Sequence, residues 1–354
     1  ATPAAIMAGT GVAAKNGILI KDVQALELAH KVDVVAFDKT GTLTVGQPRL
    51  TAFEVVPGFD DAAVMAAVAA VQSGSEHPLA RAVVAAAGER QISVATAQDV
   101  RAVPGRGTEG EVDGQSYLVG SLRWMQELGV DLGALAVRAQ QLQNEGATVS
   151  AVAQRVTEGL ALRALMAFGD EPKPGAREAL AALKARGIRT VMISGDNRGA
   201  AEAMARRLGL DPDAGEVMAE VLPGDKAAKV VALQQGPDGK RHQVAMVGDG
   251  VNDAPALAAA DVGMAMGNGT DVAMHAAGIT LMRGDPMLVA AALDISHRTV
   301  MKIRQNLFWA FAYNVAGIPL AALGFLSPVV AGAAMALSSV SVMANALLLK
   351  RWRM

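Results

Sequence analysis

A carboxylate that could act as a nucleophile follows an apolar segment near the start of the chain. Residues 32–37 (VDVVAF) form a short, β-branched run that predicts a buried parallel strand, and Asp38 comes directly after it. Open α/β sheets place their chemistry at the carboxyl ends of such strands. A carboxylate there can attack a phosphoryl group if nearby donors neutralise the charge, and the loop that follows is rich in donors: Lys39-Thr40-Gly41-Thr42-Leu43-Thr44.

The residue two positions after Asp38 determines how fast an aspartyl phosphate on Asp38 would be hydrolysed. A hydrolase that used Asp38 would need an acid at this position to activate water against the aspartyl phosphate. Thr40 stands there and cannot do this. The sequence therefore predicts a phosphorylated aspartate that persists and can drive another process.

A pair of carboxylates later in the chain suits Mg²⁺. The apolar run 244–247 (VAMV) predicts a third buried strand, and Asp249 and Asp253 follow it, bracketed by glycine. Hard oxygen ligands of this kind are those that Mg²⁺ prefers. Asp38, Asp249 and Asp253 around one phosphoryl group would repel by several kcal/mol, so we expect both Mg²⁺ and a lysine to balance them.

Two more side chains are candidates for the same site, each with a structural alternative. Ser194 follows a predicted strand at 188–193, where its hydroxyl could donate to a phosphoryl oxygen or cap the helix that begins near Arg198. Lys226 follows the turn 223–225 at the start of a predicted helix. A single lysine is usually solvated, but this position favours a role in charge balance.

Elements between these strands form an insertion, from about 45 to 167, with its own helices and strands. Within it, His77 precedes Pro78 at a break between two predicted helices and reads, in isolation, as a structural cap. Residues 105–110 match Gly-x-Gly-x-x-Gly, but a hairpin rather than a helix is predicted to follow, so a dinucleotide site of the Rossmann type is excluded.

Composition and charge restrict the function further. The 354 residues, 52% of them hydrophobic, can bury a large core, and a net charge of −2 gives no electrostatic case for nucleic acid. The chain contains 0 cysteines, which removes disulfides and thiolate metal sites from it. It has no secretory signal and no initiator methionine, so we expect a piece of a longer protein.

The C-terminal region predicts a pair of membrane helices. No charged residue occurs between Arg304 and Lys350, a length that fits two spans of ~20 residues, with Ser327-Pro328 as the turn. Basic residues flank both ends of the pair, which places both ends in the cytoplasm.

Residues 38–44 resemble the phosphorylation motif of P-type ATPases of the haloacid dehalogenase superfamily, and residues 248–257 (GDGVNDAPAL) resemble their hinge sequence. The resemblance implies an α/β fold: a haloacid dehalogenase-like, Rossmannoid phosphorylation domain with an inserted α+β nucleotide-binding domain and a C-terminal transmembrane helix pair. It implies ATP as substrate and Mg²⁺ as cofactor. Asp38 would be phosphorylated and, together with Thr40 and Asp249, would bind Mg²⁺. Ser194, Lys226, Asn252 and Asp253 would support catalysis.

The insertion carries the nucleotide-binding motifs of the same family. Residues 75–79 (SEHPL) resemble its His-Pro motif, in which His77 and Glu76 would help to orient ATP. Gly105 and Gly107 match its Gly-x-Gly, where missing side chains let the backbone approach the nucleotide. The chain departs from the family at Gln72 and Ser121, which can both still hydrogen-bond adenine or ribose.

The membrane segments resemble the Cu⁺-transporting subgroup of heavy-metal P-type ATPases. Tyr313, Asn314, Met335 and Ser339 match residues that complete its transmembrane Cu⁺ path, and a thioether is a soft ligand suited to Cu⁺. Helix packing is the alternative role for these side chains. The Cys-Pro-Cys site of that path would precede Ala1.

The resemblance covers the whole chain and predicts six segments: the end of a membrane helix and stalk at 1–31, the phosphorylation domain at 32–45 and 168–296, the nucleotide-binding domain at 46–167, a stalk and transmembrane helix at 297–326, and a transmembrane helix with a basic tail at 327–354. The implied function is ATP-driven export of Cu⁺ from a bacterial cell across its inner membrane. Implied partners are membrane lipid, the missing N-terminal half with its actuator domain, and a cytoplasmic copper chaperone. Two alternatives stay open: a membrane-tethered phosphatase of the same superfamily, and a catalytically silent ATP-binding module.

Overall fold

The structure is a computed structural model that describes all residues except 1, 105, 250–252, 268–270 and 326. The chain divides into two compact units. The first comprises Ala1–Leu43, Lys173–Gly195 and Ala205–Met354, and the second comprises Thr44–Pro172 and Asp196–Met204.

Thirteen strands are present in the described residues. They are β1 (Ile18–Ile20), β2 (Val34–Asp38), β3 (Arg49–Val55), β4 (Gln98–Val103), β5 (Gly107–Val112), β6 (Gln115–Ser121), β7 (Thr148–Val156), β8 (Gly159–Gly169), β9 (Arg189–Ile193), β10 (Val217–Met218), β11 (Val244–Gly248), β12 (Val262–Met266) and β13 (Ile279–Leu281).

The same residues contain thirteen α-helices. They are α1 (Thr2–Lys15), α2 (Val23–His30), α3 (Asp61–Gln72), α4 (Pro78–Glu89), α5 (Leu122–Glu127), α6 (Ala136–Asn144), α7 (Ala176–Ala185), α8 (Arg198–Arg207), α9 (Lys226–Gln234), α10 (Ala254–Ala259), α11 (Asp271–Ala276), α12 (Met287–Ala322) and α13 (Pro328–Leu347).

The first unit is built on a seven-stranded sheet with the order β1-β13-β12-β11-β2-β9-β10. Every neighbouring pair is parallel except β1 and β13. β2 lies between β9 and β11, with Val35 opposite Thr190 on one side and Ala245 on the other. All five residues of β2 are buried, as the unbroken apolar run predicts for a strand covered on both faces. The predicted α/β fold is confirmed.

The second unit contains a six-stranded antiparallel sheet with the order β3-β8-β7-β6-β5-β4. β5 and β6 form the predicted hairpin, and its two turn residues, Asp113 and Gly114, both have positive φ (52° and 76°). Such a turn matches the twist of the paired strands. Helices α3 and α4 pack on this sheet through an apolar cluster that includes Met65, Val68 and Val83.

The C-terminal region consists of two long helices that pack against each other. α12 continues for 36 residues; no glycine or proline occurs between Met287 and Val315, and Gly317 and Pro319 lie near its C-terminal end. α13 begins at Pro328, where Ser327 accepts a hydrogen bond from Val330 N (3.2 Å) as its N-cap. In the described part of the chain, one helical segment, Pro328–Arg351, is long and apolar enough to cross a membrane.

Candidate active site

The three predicted acidic residues meet at the carboxyl ends of two neighbouring strands. Asp38 is the last residue of β2, and Asp249 directly follows β11. Asp253 immediately precedes α10. One carboxylate oxygen from each of the three lies within 4.8 Å of the other two. These strands are adjacent and parallel, so the pairing of β2 with β11 itself produces the cluster.

Lys226 bridges two of these acids. Its Nζ lies 2.8 Å from Asp38 Oδ1 and 2.7 Å from Asp253 Oδ1. All three side chains are largely buried, with exposed fractions of 12% for Lys226, 9% for Asp38 and 2% for Asp253. α9 positions the lysine, since Lys226 is its first residue after a turn that begins at Pro223.

The electrostatics of the site reflect an excess of negative charge. Burial and the charge of Asp253 raise the pKa of Asp38 to about 7, although Lys226 opposes this shift. Burial and then Asp253 also raise the pKa of Asp249. Burial by itself would lower the pKa of Lys226, but the two bonded carboxylates raise it above its ordinary value. The three acids thus carry more charge than Lys226 balances.

The loop after Asp38 packs closely against the acidic residues and is buried at Thr42. Gly41 has a φ of 77°, and a Cβ added there would overlap Asp249 Oδ2. Thr42 is fully buried, and its Oγ1 has no hydrogen-bond partner among the described residues. A buried hydroxyl without a partner is costly unless a ligand completes it, and a phosphoryl oxygen would do so.

Ser194 lies where the sequence predicts, but its proposed structural alternative is wrong. It follows β9 next to Asp38, since Asp38 pairs with Ile193, and it is 1% exposed. The residue that caps α8 is Asn197, whose Oδ1 accepts a hydrogen bond from Ala200 N (2.9 Å). Asn197 directly precedes the helix, which is the position that an N-cap requires. Asn252, the remaining predicted residue, lies outside the described residues.

The predicted nucleotide residues lie in the second unit, where most of them line one cavity of about 420 Å³. Gln72, His77, Gly107 and Ser121 contribute to its wall. Glu76 does not: its side chain is 94% exposed and pairs with Arg81 (3.3 Å). Gly105 lies outside the described residues. The volume is within the range of small-molecule sites.

Two of these residues also have structural roles. His77 is the N-cap of α4, and its Nδ1 accepts a hydrogen bond from Leu79 N at 3.2 Å. A Cβ on Gly107 would overlap the backbone of Val119 and Gly120 and approach the ring of Trp124. Gly120 is similarly enclosed by Arg106 and Trp124. Close strand packing therefore accounts for Gly107 independently of any nucleotide.

Gly120, which was not predicted from the sequence, also lines this wall, and the ring of Trp124 packs against it. Trp124 is buried and lies at the start of α5, where Ser121 caps the helix by accepting from Trp124 N (3.2 Å). The run Val119-Gly120-Ser121-Leu122 offers one signal, a glycine inside a strand, which often marks close approach of another backbone. The partner of that approach is not readable from the sequence.

The predicted membrane residues come together between α12 and α13. Tyr313, Asn314, Met335 and Ser339 all line a cavity of about 460 Å³, together with Gly317 and Ser338. Both helices also expose large apolar side chains on their outer surfaces, including Phe311 (67%), Ile318 (69%) and Val329 (81%). An apolar surface of this extent is typical of contact with lipid or a protein partner.

Comparison with known proteins agrees with these observations. A model of the haloacid dehalogenase-like hydrolase family matches residues 32–261. The chain is 46% identical over 354 residues to a copper-exporting P-type ATPase of Staphylococcus haemolyticus, and 46% identical over 351 residues to one of Bacillus subtilis. It covers 100% and 99% of its own length in these matches, but spans only 42% of each relative.

The chain is also similar to solved structures. A zinc-transporting PIB-type ATPase in its E2.Pi state aligns with 99% of this chain and 55% of its own, at a TM-score of 0.88 and 37% identity. The catalytic domain of the CPx-ATPase CopB-B aligns with 80% of this chain and 98% of its own, at a TM-score of 0.56 and 27% identity. The chain belongs to the haloacid dehalogenase-like hydrolase family, and its relatives within that family are heavy-metal P-type ATPases.

Proposed function

We propose that the chain is the catalytic and C-terminal membrane part of an ATP-driven Cu⁺ exporter that is phosphorylated on Asp38. The observation that carries the proposal is the cluster of Asp38, Asp249 and Asp253 around Lys226 Nζ at the carboxyl ends of β2 and β11. Thr40 in place of an acid favours a phosphoenzyme that lasts long enough to drive transport over the alternative of a phosphatase.

The residues of the cluster divide the chemistry of phosphoryl transfer. Asp38 is the nucleophile, and Lys226 holds its carboxylate in place and balances charge on the transferred group. Ser194 and Thr42 lie at the same sheet edge and in the same loop, where their hydroxyls can donate to phosphoryl oxygens. Asp253 holds Lys226 and, through Oδ2, accepts from Asp249 N (3.2 Å).

The donor set also fits Mg²⁺. Asp38, Asp249 and Asp253 each have a carboxylate oxygen within 4.8 Å of the other two. Carboxylate oxygens are the hard ligands that this ion requires. Asp38 and Asp249, with Thr40, are the residues that we expect to hold it, and Asp253 and Asn252 to support them. Bound Mg²⁺ would supply a positive charge that lowers the repulsion between the phosphoryl group and the carboxylates.

We propose that the second unit binds ATP. The cavity lined by Gln72, His77, Gly107 and Ser121 has a size and a mixed polar and apolar wall that suit a nucleotide. We propose that His77 helps to orient ATP, and that Glu76 and Gly105 contribute as the family resemblance implies.

The transported ion is proposed to be Cu⁺. Met335 offers a soft thioether in the cavity between α12 and α13, and neither helix offers a carboxylate there. The copper-exporting relatives support this choice over zinc. The apolar outer surfaces of both helices support an integral membrane protein, which we place in a bacterial inner membrane with the catalytic units cytoplasmic. A copper chaperone and the N-terminal half with its actuator domain are the proposed protein partners.

Phosphorylation with radiolabelled ATP and Mg²⁺ tests the proposal. The wild-type chain should acquire an acid-stable, hydroxylamine-labile label, and Asp38→Asn should lose it because an amide is not a nucleophile. Asp33→Asn is the matched control, since Asp33 directly precedes the same strand at the end opposite Asp38, and it should keep the label. Label that survives Asp38→Asn would refute the assignment. Rapid release of free phosphate from a small phosphoester would instead support a phosphatase.

A further inference from the structure

A second cavity lies at one end of the α12–α13 pair, away from the proposed Cu⁺ cavity. Its volume is about 480 Å³, and its wall includes Asp294, Arg298, Lys302, Arg351 and Trp352. The first three of these residues lie on α12, and the last two follow α13. None of the roles proposed above involves this cavity.

The charge of the cavity is unusual for this protein. The whole chain has a net charge of −2, yet this wall carries three cations and one acid. The acid is already engaged: Asp294 Oδ2 accepts from Trp352 Nε1 at 2.7 Å and from Arg298 Nε at 3.0 Å. Lys302 is held in place by Asn345 Oδ1 (3.0 Å), while Arg351 is exposed. The wall therefore has an excess of positive charge, which favours binding of an anion.

The position of the cavity along α13 indicates which anion would meet it. The helix is 20 residues long, or about 30 Å, which equals the thickness of the hydrocarbon core of a bilayer. Residues directly after it then lie at the depth of the lipid headgroups. Arg351 ends the short helical turn Leu348–Arg351 that follows α13, Trp352 comes next, and Trp is typical of that interface.

We propose that this cavity binds the phosphate group of an anionic phospholipid from the cytoplasmic leaflet. Arg298, Lys302 and Arg351 would contact the phosphate, and Trp352 would pack beside the glycerol and upper acyl region. Basic pockets at the cytoplasmic ends of membrane helices bind such headgroups. The inference rests on the membrane insertion of α13 in the proposed function.

Native mass spectrometry of the detergent-solubilised chain tests the site with phosphatidylglycerol and phosphatidylcholine as probes. The wild type should retain phosphatidylglycerol in preference to phosphatidylcholine. The double variant Lys302→Gln, Arg351→Gln should lower that retention at least about tenfold, because each basic residue near an anionic lipid contributes roughly fivefold in affinity. Arg351→Gln alone, at an exposed position, should lower it in the same direction with no effect on folding.

The matched control is Lys350→Gln with Arg353→Gln, which removes the same charge from the same end of the chain but from residues outside the cavity. It should stay within about twofold of wild type, since exposed charges outside the site act only through a screened field. Equal losses in the two double variants would overturn the proposal, as would equal retention of the two lipids. Soluble glycerol phosphate that binds as tightly as phosphatidylglycerol would show a free phosphate site and refute the lipid.

Flotation with phosphatidylcholine vesicles separates this inference from its premise. The wild-type chain should float with the vesicles. A chain that does not float would refute membrane insertion, and with it both the proposed function and the lipid site. A chain that floats but shows no lipid preference would refute the lipid site alone.

Discussion

Gly41 is the residue on which the geometry of the acidic cluster depends most directly. Its φ of 77° lies in the left-handed region, and its missing side chain leaves room for Asp249 Oδ2. A larger residue would pay the cost of that backbone conformation, ~1–2 kcal/mol, and would also push Asp249 away. Displacement of Asp249 would weaken Mg²⁺ binding rather than lower the stability of the fold.

We predict that Gly41→Ala raises the Mg²⁺ concentration needed for half-maximal phosphorylation by at least about tenfold, the smallest loss typical of disturbing a metal site. Gly58→Ala is the control, because Gly58 also has a positive φ (91°) but has no atom within 4 Å of an added Cβ. It should cost stability without changing the Mg²⁺ dependence. The same Mg²⁺ dependence in both variants would show that Gly41 serves the backbone only.

His242 provides a pH-dependent contact at the opposite end of the same sheet. Its Nδ1 lies 2.8 Å from Asp33 Oδ2, and its Nε2 lies 3.1 Å from Asp238 Oδ1. The hydrogen bond with Asp33, followed by that with Asp238, raises the pKa of His242. The folded state therefore favours the protonated ring, and the resulting stabilisation is present below the unfolded pKa of about 6.5 and lost as pH rises through the folded pKa.

His242→Gln should consequently lower the free energy of unfolding more at pH 6 than at pH 9. Urea unfolding followed by circular dichroism at the two pH values measures the difference. Asp33→Asn should reduce the pH dependence of the wild type, because it removes the largest cause of the raised pKa. A loss for His242→Gln that is independent of pH would contradict the prediction.

At the scale of elements, the sequence predicted the buried strands well, and the residue that caps the helix after one of them less well. The strands that end at Asp38, Ile193 and Gly248 are short apolar runs, and burial on both faces makes such runs easy to recognise. Their carboxyl ends identify the site because parallel strands share one edge. By contrast, the alternative role for Ser194 failed because Asn197, three residues later, competes for the same cap.

Tertiary packing explains what the sequence could not predict. Gly107 was assigned to nucleotide approach, yet the structure encloses it against Gly120 and Trp124, whose contact depends on the pairing of β5 with β6. His77 likewise combines a helix cap with a place in the cavity wall. The cap is a local contact with Leu79 N and was predicted from the sequence. The enclosure of Gly107 and the place of His77 in the cavity wall depend on residues from other elements, so they could not be predicted locally.

Substitutions at His77 can separate its role as the N-cap of α4 from its proposed role in ATP binding. His77→Gln should weaken ATP binding, measured by titration calorimetry, and leave phosphorylation by inorganic phosphate possible. His77→Asn should weaken it as much, although asparagine is a good N-cap and preserves the start of α4. If His77→Asn instead restores normal ATP affinity, the cap rather than the imidazole is what the nucleotide site requires.

At the scale of the whole molecule, the proposed function assigns the link between catalysis and transport to the long helix pair. In the full-length protein, Met335→Ala should lower Cu⁺-stimulated ATP hydrolysis at least about tenfold, as loss of a metal ligand would, with little change in stability. Met343→Ala is the control, since Met343 is also exposed on α13 but does not line the cavity. Stimulation by Zn²⁺ in place of Cu⁺, or equal effects of the two variants, would refute the assignment.

The central position of β2 has a consequence for how the chain is made. Its N-terminal neighbour Asp33 accepts a hydrogen bond from Gln243 N, a residue 210 positions later, so the strand beside β2 leaves the ribosome long after β2 itself. At synthesis rates of ~5–20 residues per second, the delay is roughly 10 to 40 s. During that time β2, which is apolar apart from Asp38, has no partner on that side. The nascent chain should therefore depend on chaperones over this interval, while the second unit, whose strands all lie between β2 and β9, can complete its own sheet first.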